Sequence, residues 1–349
     1  MYLKPDHRVA ILLHQGLRGV QGKTGLAVLR YSDAEIVAVI DQESAGDSLA
    51  QLTGISRDVP IVASVAASLA YQPDVLIIGI APSGGALPEA WWQEIKQAVA
   101  AGVCIVNGLH TAMATHPDLT VLLREGQWIW DVRREPTGLK VGSGQARLLS
   151  CLRVLTVGTD MSIGKMSTSL EMHRVARQLG LRSQFVATGQ TGLMLGNPGI
   201  PLDAVRVDFA SGAVEQAVLS LGQNQDILHV EGQGSLLNPA STATLPLLRG
   251  TQPTHLILVH RIGQTHIRNF AHVPIPPLTE VIQMYEMVAR AAGAFAEVPV
   301  AAIALNTAHL DEVAAQTAIA TTQAETGLPC TDPVRYGAAT LLDAVLYQK

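Results

Sequence analysis

The stretch from Leu152 to Gly180 reads LRVLTVGTDMSIGKMSTSLEMHRVARQLG, and it constrains the fold more than any other part of the chain. An apolar strand over 153–157 runs into a turn that opens at Gly158 and closes at Gly164-Lys165, and an amphipathic helix follows to Gly180. Met166, Leu170, Ala176 and Leu179 recur near helical spacing, and Gly180 suits the left-handed residue that closes a helix. Such a loop holds phosphate because successive backbone N–H groups converge on it, the helix N-terminus adds partial positive charge, and the lysine neutralises the outer oxygens. The candidate phosphate-binding residues are therefore Gly158, Thr159, Asp160, Gly164, Lys165, Met166, Ser167 and Thr168. Two features depart from the commonest pattern. The five residues Thr159 to Ile163 between the glycines are one more than usual, and Met166 stands where a magnesium-binding hydroxyl normally follows the lysine. The second departure weighs against metal-assisted ATP chemistry, although Ser167 and Thr168 lie next to it. The plainer alternative is a strand, turn and helix carrying a solvated lysine.

At 349 residues the chain exceeds one ordinary core, so two domains are expected: a Rossmann-like one over 1–140 and a phosphate-loop one over 141–349. Aromatic residues are only 4% and charged residues 15%, which suits an α/β fold of buried parallel strands alternating with alanine-rich helices. A net charge of -5 with no basic run argues against nucleic acid or an anionic membrane as partner. Cys104, Cys151 and Cys330 are far apart and form no C-x-x-C, so a reduced, cytoplasmic setting is expected rather than a disulfide framework. The N-terminus lacks the apolar length of a signal sequence, and no apolar run approaches the roughly 18 residues of a membrane span. Small-molecule ligands and a homo-oligomer are the expected partners.

The first half repeats the pattern of strand, glycine-rich turn and helix. The strand Arg8–His14 leads into a turn from Gly16 to Gly22-Lys23-Thr24, with the same glycine spacing as Gly158 to Gly164, making Gly22, Lys23 and Thr24 a candidate second phosphate loop. Asp41 ends the next strand, some 20 residues on, about where a dinucleotide-binding unit holds a ribose hydroxyl. Strands at 60–64, 75–80 and 103–107 and an edge strand expected at 128–133 complete a doubly wound sheet. Ligands of such sheets sit beyond the carboxyl ends of the strands, which nominates Ser83, Gly84, Gly85 and His110.

In the second half, the strand 183–188 ends in Thr188-Gly-Gln190-Thr191-Gly, again a polar, glycine-lined turn at a strand's carboxyl end. Ser211 is a candidate N-cap for the helix that follows Asp208. The apolar strand 227–230 runs into Glu231-Gly-Gln-Gly, and a carboxylate at the end of a strand beside a phosphate loop can hold Mg²⁺ or act on a catalytic water. If magnesium is used, Ser167, Asp208 and Glu231 are its candidate ligands. A further strand, 256–259, carries His260, Arg261, Gln264, His266 and Arg268 beyond its end, where an arginine offers bidentate recognition of carboxylate or phosphate. The histidine spacings match no helical zinc pair. The last central strand, 300–305, ends in Asn306.

The GTDMSIGKMSTSLE segment, with its extra residue, resembles the phosphate loop of dethiobiotin synthetase and its relatives. That resemblance implies substrate contact near Thr188, Gln190 and Thr191, and an adenine met by the amide of Asn306. Taken with TGQTG, VDFASGAVE, VEGQGSL, QGKTG and IGIAPSGGALPEAW, the whole chain resembles two-domain P-loop proteins long of unknown function, often encoded beside dipeptide epimerases and since assigned as D-glutamate N-acetyltransferases. This implies transfer of an acetyl group from acetyl-CoA to the amino group of D-glutamate. In that reading the phosphate loop grips CoA, Lys165 and Glu231 are the catalytic pair with Glu231 as base, and Arg261 or Arg268 meets a glutamate carboxylate. Two rivals stay open: an ATP- and Mg²⁺-dependent ligase or kinase of the dethiobiotin synthetase type acting on a small carboxylate, and a non-catalytic nucleotide sensor.

Overall fold

The computed structural model describes residues 3–80 and 87–347, so Ser83, Gly84 and Gly85 lie outside the described residues. The chain divides into two compact units, Met1–Arg134 with Gln190–Asn197, and Glu135–Gly189 with Pro198–Lys349. Each is built on one parallel six-stranded sheet. Among the described residues no helix is long and apolar enough to cross a membrane.

The first unit contains β1 (Arg8–Leu12), β2 (Glu35–Ile40), β3 (Ile61–Val62), β4 (Val75–Ile78), β5 (Cys104–Asn107) and β6 (Ile129–Asp131). Their order across the sheet is β3-β2-β1-β4-β5-β6, so the direction of winding reverses between β1 and β4. Val9, Ala10, Ile11 and Leu12 are all fully buried, because a parallel strand covered by helices on both faces must be apolar on both sides. The segment expected to be an edge strand does form one, as β6. Several strands are shorter than the apolar runs suggest, β3 most of all, since hydropathy continues into turns that no longer pair.

The second unit contains β7 (Leu152–Gly158), β8 (Ser183–Val186), β9 (Ile227–Val230), β10 (His255–Arg261), β11 (His266–Ile267), β12 (Phe270–Pro274), β13 (Val300–Asn306) and β14 (Cys330–Thr331). The order β14-β13-β10-β7-β9-β8 places β7 between β9 and β10, and β11 and β12 form a separate antiparallel hairpin. Alternation along β7 sorts the core into two layers. Leu155 and Val157 face the helices Ala210–Leu221, Thr244–Thr251 and Leu278–Val288, whereas Val154 faces Lys165–Gln178 and Ala339–Tyr347. The helix after the phosphate loop ends as the sequence indicates, with Gly180 at φ +79°. Ser211, in contrast, is not an N-cap: the helix begins at Ala210, and Ser211 lies inside its first turn.

One core residue stands against the general pattern. His229, in the middle of β9, is 1% exposed, and neither ring nitrogen has a hydrogen-bond partner among the described residues. Its ring lies 6.1 Å from that of His173, whose Nδ1 is bonded to Ser183 Oγ at 2.8 Å. Burial, and then the neighbouring His173, push its pKa down to about 3 from the ordinary 6.5. A folded-state pKa below the unfolded one means that the unfolded chain takes up protons first. Stability is therefore full above pH 6.5 and is lost as the pH falls from there toward 3. His229→Leu is expected to raise stability at pH 7 by about 1–3 kcal/mol, because it removes the cost of unpaired buried nitrogens. It should also flatten the acid limb of denaturant melts. An unchanged limb would show that other groups govern acid unfolding.

Candidate functional site

The carboxyl ends of β7, β9, β10 and β13 converge in the second unit, and the expected phosphate loop stands in the middle of them. β7 ends at Gly158, the chain turns through 159–164, and the helix begins at Lys165. Ser162 at φ +57° and Gly164 at φ +119° both take left-handed backbone, which curls the loop tightly into the start of the helix. Lys165 is 5% exposed, with Nζ donating to the Asp160 carbonyl at 2.6 Å. Thr168 Oγ1 donates to the Gly164 carbonyl at 3.1 Å, while Met166 and Ser167 are half-buried beside it.

Hydrogen bonds tie the loop to the ends of β10 and β13. Thr159 N–H donates to Val259 O at 3.1 Å, and its hydroxyl meets His260 Nδ1 at 2.9 Å. Asn306, expected from the resemblance at an adenine, donates through Nδ2 to Ile163 O at 3.0 Å and so braces the loop. Tyr285 OH donates to Gly158 O at 2.7 Å and accepts from Leu236 N–H at 3.2 Å. Sequence reasoning missed Tyr285 altogether, since a lone tyrosine in an apolar helix carries no local signal. Asp160, offered as a phosphate-loop residue, turns its carboxylate away into four donors. Burial pushes its pKa up, but the Arg268 amide, Asn238, the Met161 amide and Gln264 outweigh this and hold it below the ordinary value.

Glu231 follows β9 directly and is 5% exposed. Its Oε2 accepts N–H bonds from Thr188 at 2.9 Å and Gly189 at 3.1 Å. Thr188 Oγ1 in turn donates to Glu231 O at 2.8 Å, and Gln233 Nε2 donates to the Thr188 carbonyl. Burial raises the Glu231 pKa, and the two amides and the Lys165 charge only partly offset that rise. The turn after it is possible only with glycine: a Cβ on Gly232 would lie 1.7 Å from Thr156 O. Thr156 Oγ1 accepts the Gly232 N–H at 2.9 Å, so β7 and the Glu231 turn are fixed to each other. A carboxylate with elevated pKa, close enough to a buried lysine to feel its charge, is equipped to take and return a proton.

The remaining candidates are scattered. Arg261 and Arg268 are exposed, Arg268 on the turn of the β11–β12 hairpin. Asp208 is exposed in the short turn Val207–Phe209, and among the described residues no three His, Cys, Asp or Glu side chains gather into a metal-holding group. Thr188 lies in the second unit, whereas Gln190 and Thr191 belong to the first.

In that first unit, the Gly16–Gly22 turn closes on itself: a Cβ on Gly22 would sit 2.2 Å from Gly16 O. Lys23 is exposed at the start of the helix Lys23–Tyr31, and Thr24 is buried with its hydroxyl 3.3 Å from that of Thr191. Asp41 is 1% exposed and accepts the Gln15 N–H at 3.1 Å, so its carboxylate anchors the turn from below. Beside it, His14 Nδ1 accepts from Gln42 N–H at 3.1 Å, which leaves Nε2–H to donate to Glu94 at 2.9 Å. His110 is exposed after β5.

Comparison with known proteins agrees with this architecture. Residues 140–342 match a family described as a domain of unknown function (DUF1611_C), P-loop domain, and residues 42–135 match its N-terminal partner, described as a Rossmann-like domain. A D-glutamate N-acetyltransferase of Tritonibacter scottomollicae is 36% identical over 77% of this chain and 80% of its own length. One from Pseudoalteromonas sp. is 34% identical over 75% of this chain and 78% of its own. A crystal structure of a DUF1611 family protein from Anabaena variabilis is 66% identical, covers 98% of this chain and 100% of that one, and superposes with a TM-score of 0.96.

Proposed function

We propose that this chain, which belongs to the DUF1611 family, is an N-acetyltransferase that moves an acetyl group from acetyl-CoA to the amino group of D-glutamate. The observation that carries the reading is the pairing of a buried lysine in a phosphate loop with a buried carboxylate of raised pKa, in a chain about one-third identical to relatives so named.

Each part of the chemistry has a group suited to it. The helix N-terminus that opens at Lys165 and the Lys165 ammonium grip the pyrophosphate of CoA, a task that needs no metal and so tolerates Met166 where a magnesium-binding hydroxyl is usual. The amine of the acceptor attacks the thioester carbonyl: the N–C bond forms, the C–S bond breaks, and the thiolate leaves and takes up a proton. Glu231 accepts the proton that the amine gives up. Its burial matters here, because a carboxylate at its ordinary pKa is too weak a base for an ammonium, and desolvation narrows that gap. Arg261 and Arg268 offer the exposed guanidinium groups for the acceptor's carboxylates.

The test is thiol release from acetyl-CoA by the purified protein with D-glutamate, L-glutamate or no acceptor, each with and without MgATP. Release that depends on D-glutamate and ignores MgATP is the expected result. ADP formation without free thiol would replace the transferase by a carboxylate-activating ligase, with Ser167 and Glu231 as its magnesium partners.

A further inference from the structure

The Asp160 carboxylate is 0% exposed and accepts four hydrogen bonds from three separate parts of the second unit. Oδ1 takes the Met161 N–H and Asn238 Nδ2, both at 2.7 Å. Oδ2 takes Gln264 Nε2 at 2.6 Å and the Arg268 N–H at 2.7 Å. The first donor is in the phosphate loop itself, the second in the turn after β9, and the last two flank β11, the first arm of the hairpin. A carboxylate inside a phosphate loop opposes the anion the loop is built to hold, so its presence calls for a different use.

The hairpin it holds joins neither six-stranded sheet, and of its two arms only β11 buries a side chain, Ile267. β12 is largely exposed, and among the described residues β11 and β12 pair only with each other. Gln264 Nε2 also donates to His266 O at 3.0 Å, which folds the first arm of the hairpin around the same side chain. Exposed cationic or protonatable groups, His266, Arg268 and His272, lie on this segment, with Arg261 at the end of β10 just before it.

We propose that Asp160 is a positioning residue that locks the 264–274 hairpin to the phosphate loop, so that the hairpin's basic side chains, Arg268 foremost, face the anionic ligand that the loop grips. The inference rests on reading 158–168 as a phosphate grip, and it deepens that reading by making the hairpin the wall that recognises a second anionic group. Charge-assisted hydrogen bonds make the lock strong, and two donors on each oxygen make it specific for a carboxylate. An amide can accept on its oxygen only, so Asp160→Asn turns an NH₂ toward one pair of donors and severs half the strap.

Hydrogen exchange of the whole chain, alone and with CoA or inorganic tripolyphosphate, tests this. In the unliganded protein, Asp160→Asn should speed exchange at the Arg268 amide by about tenfold or more. In the wild type, a bound ligand should slow exchange in both 158–168 and 264–274. Gln264→Ala removes one half-exposed strap and leaves the loop intact, so it covers the case in which Asp160→Asn does not fold. In that variant the loop should keep its protection by ligand and the hairpin should lose most of its own, with Tm nearly unchanged. Hairpin protection unchanged in the variants, or absent in the wild type while the loop is protected, overturns the proposal, as does a loop that neither ligand protects. Protection of both segments by tripolyphosphate but not by CoA leaves the strap standing and removes acetyl-CoA as the donor.

Discussion

Replacing Lys165 by alanine is expected to lower acetyl-CoA-dependent thiol release by about a thousandfold, the range seen when one charge-stabilising donor is removed from a water-excluded site. The side chain is 5% exposed, and its ammonium reaches 2.6 Å from the Asp160 carbonyl, so it is held inside the loop rather than in solvent. Alanine removes the only cation that the loop itself contributes, since 158–164 contains no other basic residue. Affinity for CoA should fall together with the rate. A second consequence follows from the same charge. Lys165 draws the Glu231 pKa downward against the effect of burial, so its loss lets that pKa rise further. Whatever activity survives should then have an acid limb displaced to higher pH. Arginine is not expected to restore the rate, because its planar fork does not fit a slot shaped for one compact ammonium. Full activity of the alanine variant, with unchanged CoA affinity, would remove 158–168 from the site.

Much of this arrangement was legible in the sequence because it is local. The apolar strand, the two glycines and the following lysine fix the β7 loop within a few residues, and Glu231 directly after an apolar run identifies the neighbouring strand end. The strand order was legible only as a class, since parallel pairing joins residues such as Leu155 and Val230 that are far apart in the chain. What escaped was the set of groups that hold the loop in place. Tyr285, Asn238 and Gln264 reach it from separate segments, and no spacing rule connects them to Gly158 or Asp160. Residues 190–197 escaped for a related reason: the TGQTG sequence reads as one turn, yet Thr188 packs in one unit while Gln190 and Thr191 pack in the other. Asp41, nominated by its place at a strand end, also has a structural use there that the sequence does not show, since it accepts the Gln15 amide.

Glu231→Gln is expected to lower kcat by about 10²–10⁴-fold, the usual contribution of a positioned general base. The variant isolates chemistry from architecture. A carboxamide oxygen carries two lone pairs, so it still accepts the N–H bonds of Thr188 and Gly189 that Oε2 now receives, and Tm should change little. The pH profile separates the two roles further. Because burial raises the Glu231 pKa above 4.5, the wild-type kcat/KM should fall as pH drops through that raised value, when the base becomes protonated. Glutamine has nothing to titrate, so this limb should vanish along with most of the rate. A glutamine variant with wild-type kcat and an unaltered profile would mean that Glu231 only fastens the Thr188–Gly189 turn. Gly189→Ala supplies the complementary case: its Cβ would stand 3.2 Å from Glu231 Oε1 and 3.0 Å from Gln233 Nε2, crowding the carboxylate without removing its charge. Its rate should fall while the acid limb remains, because the base is still present and only its approach to the amine is obstructed.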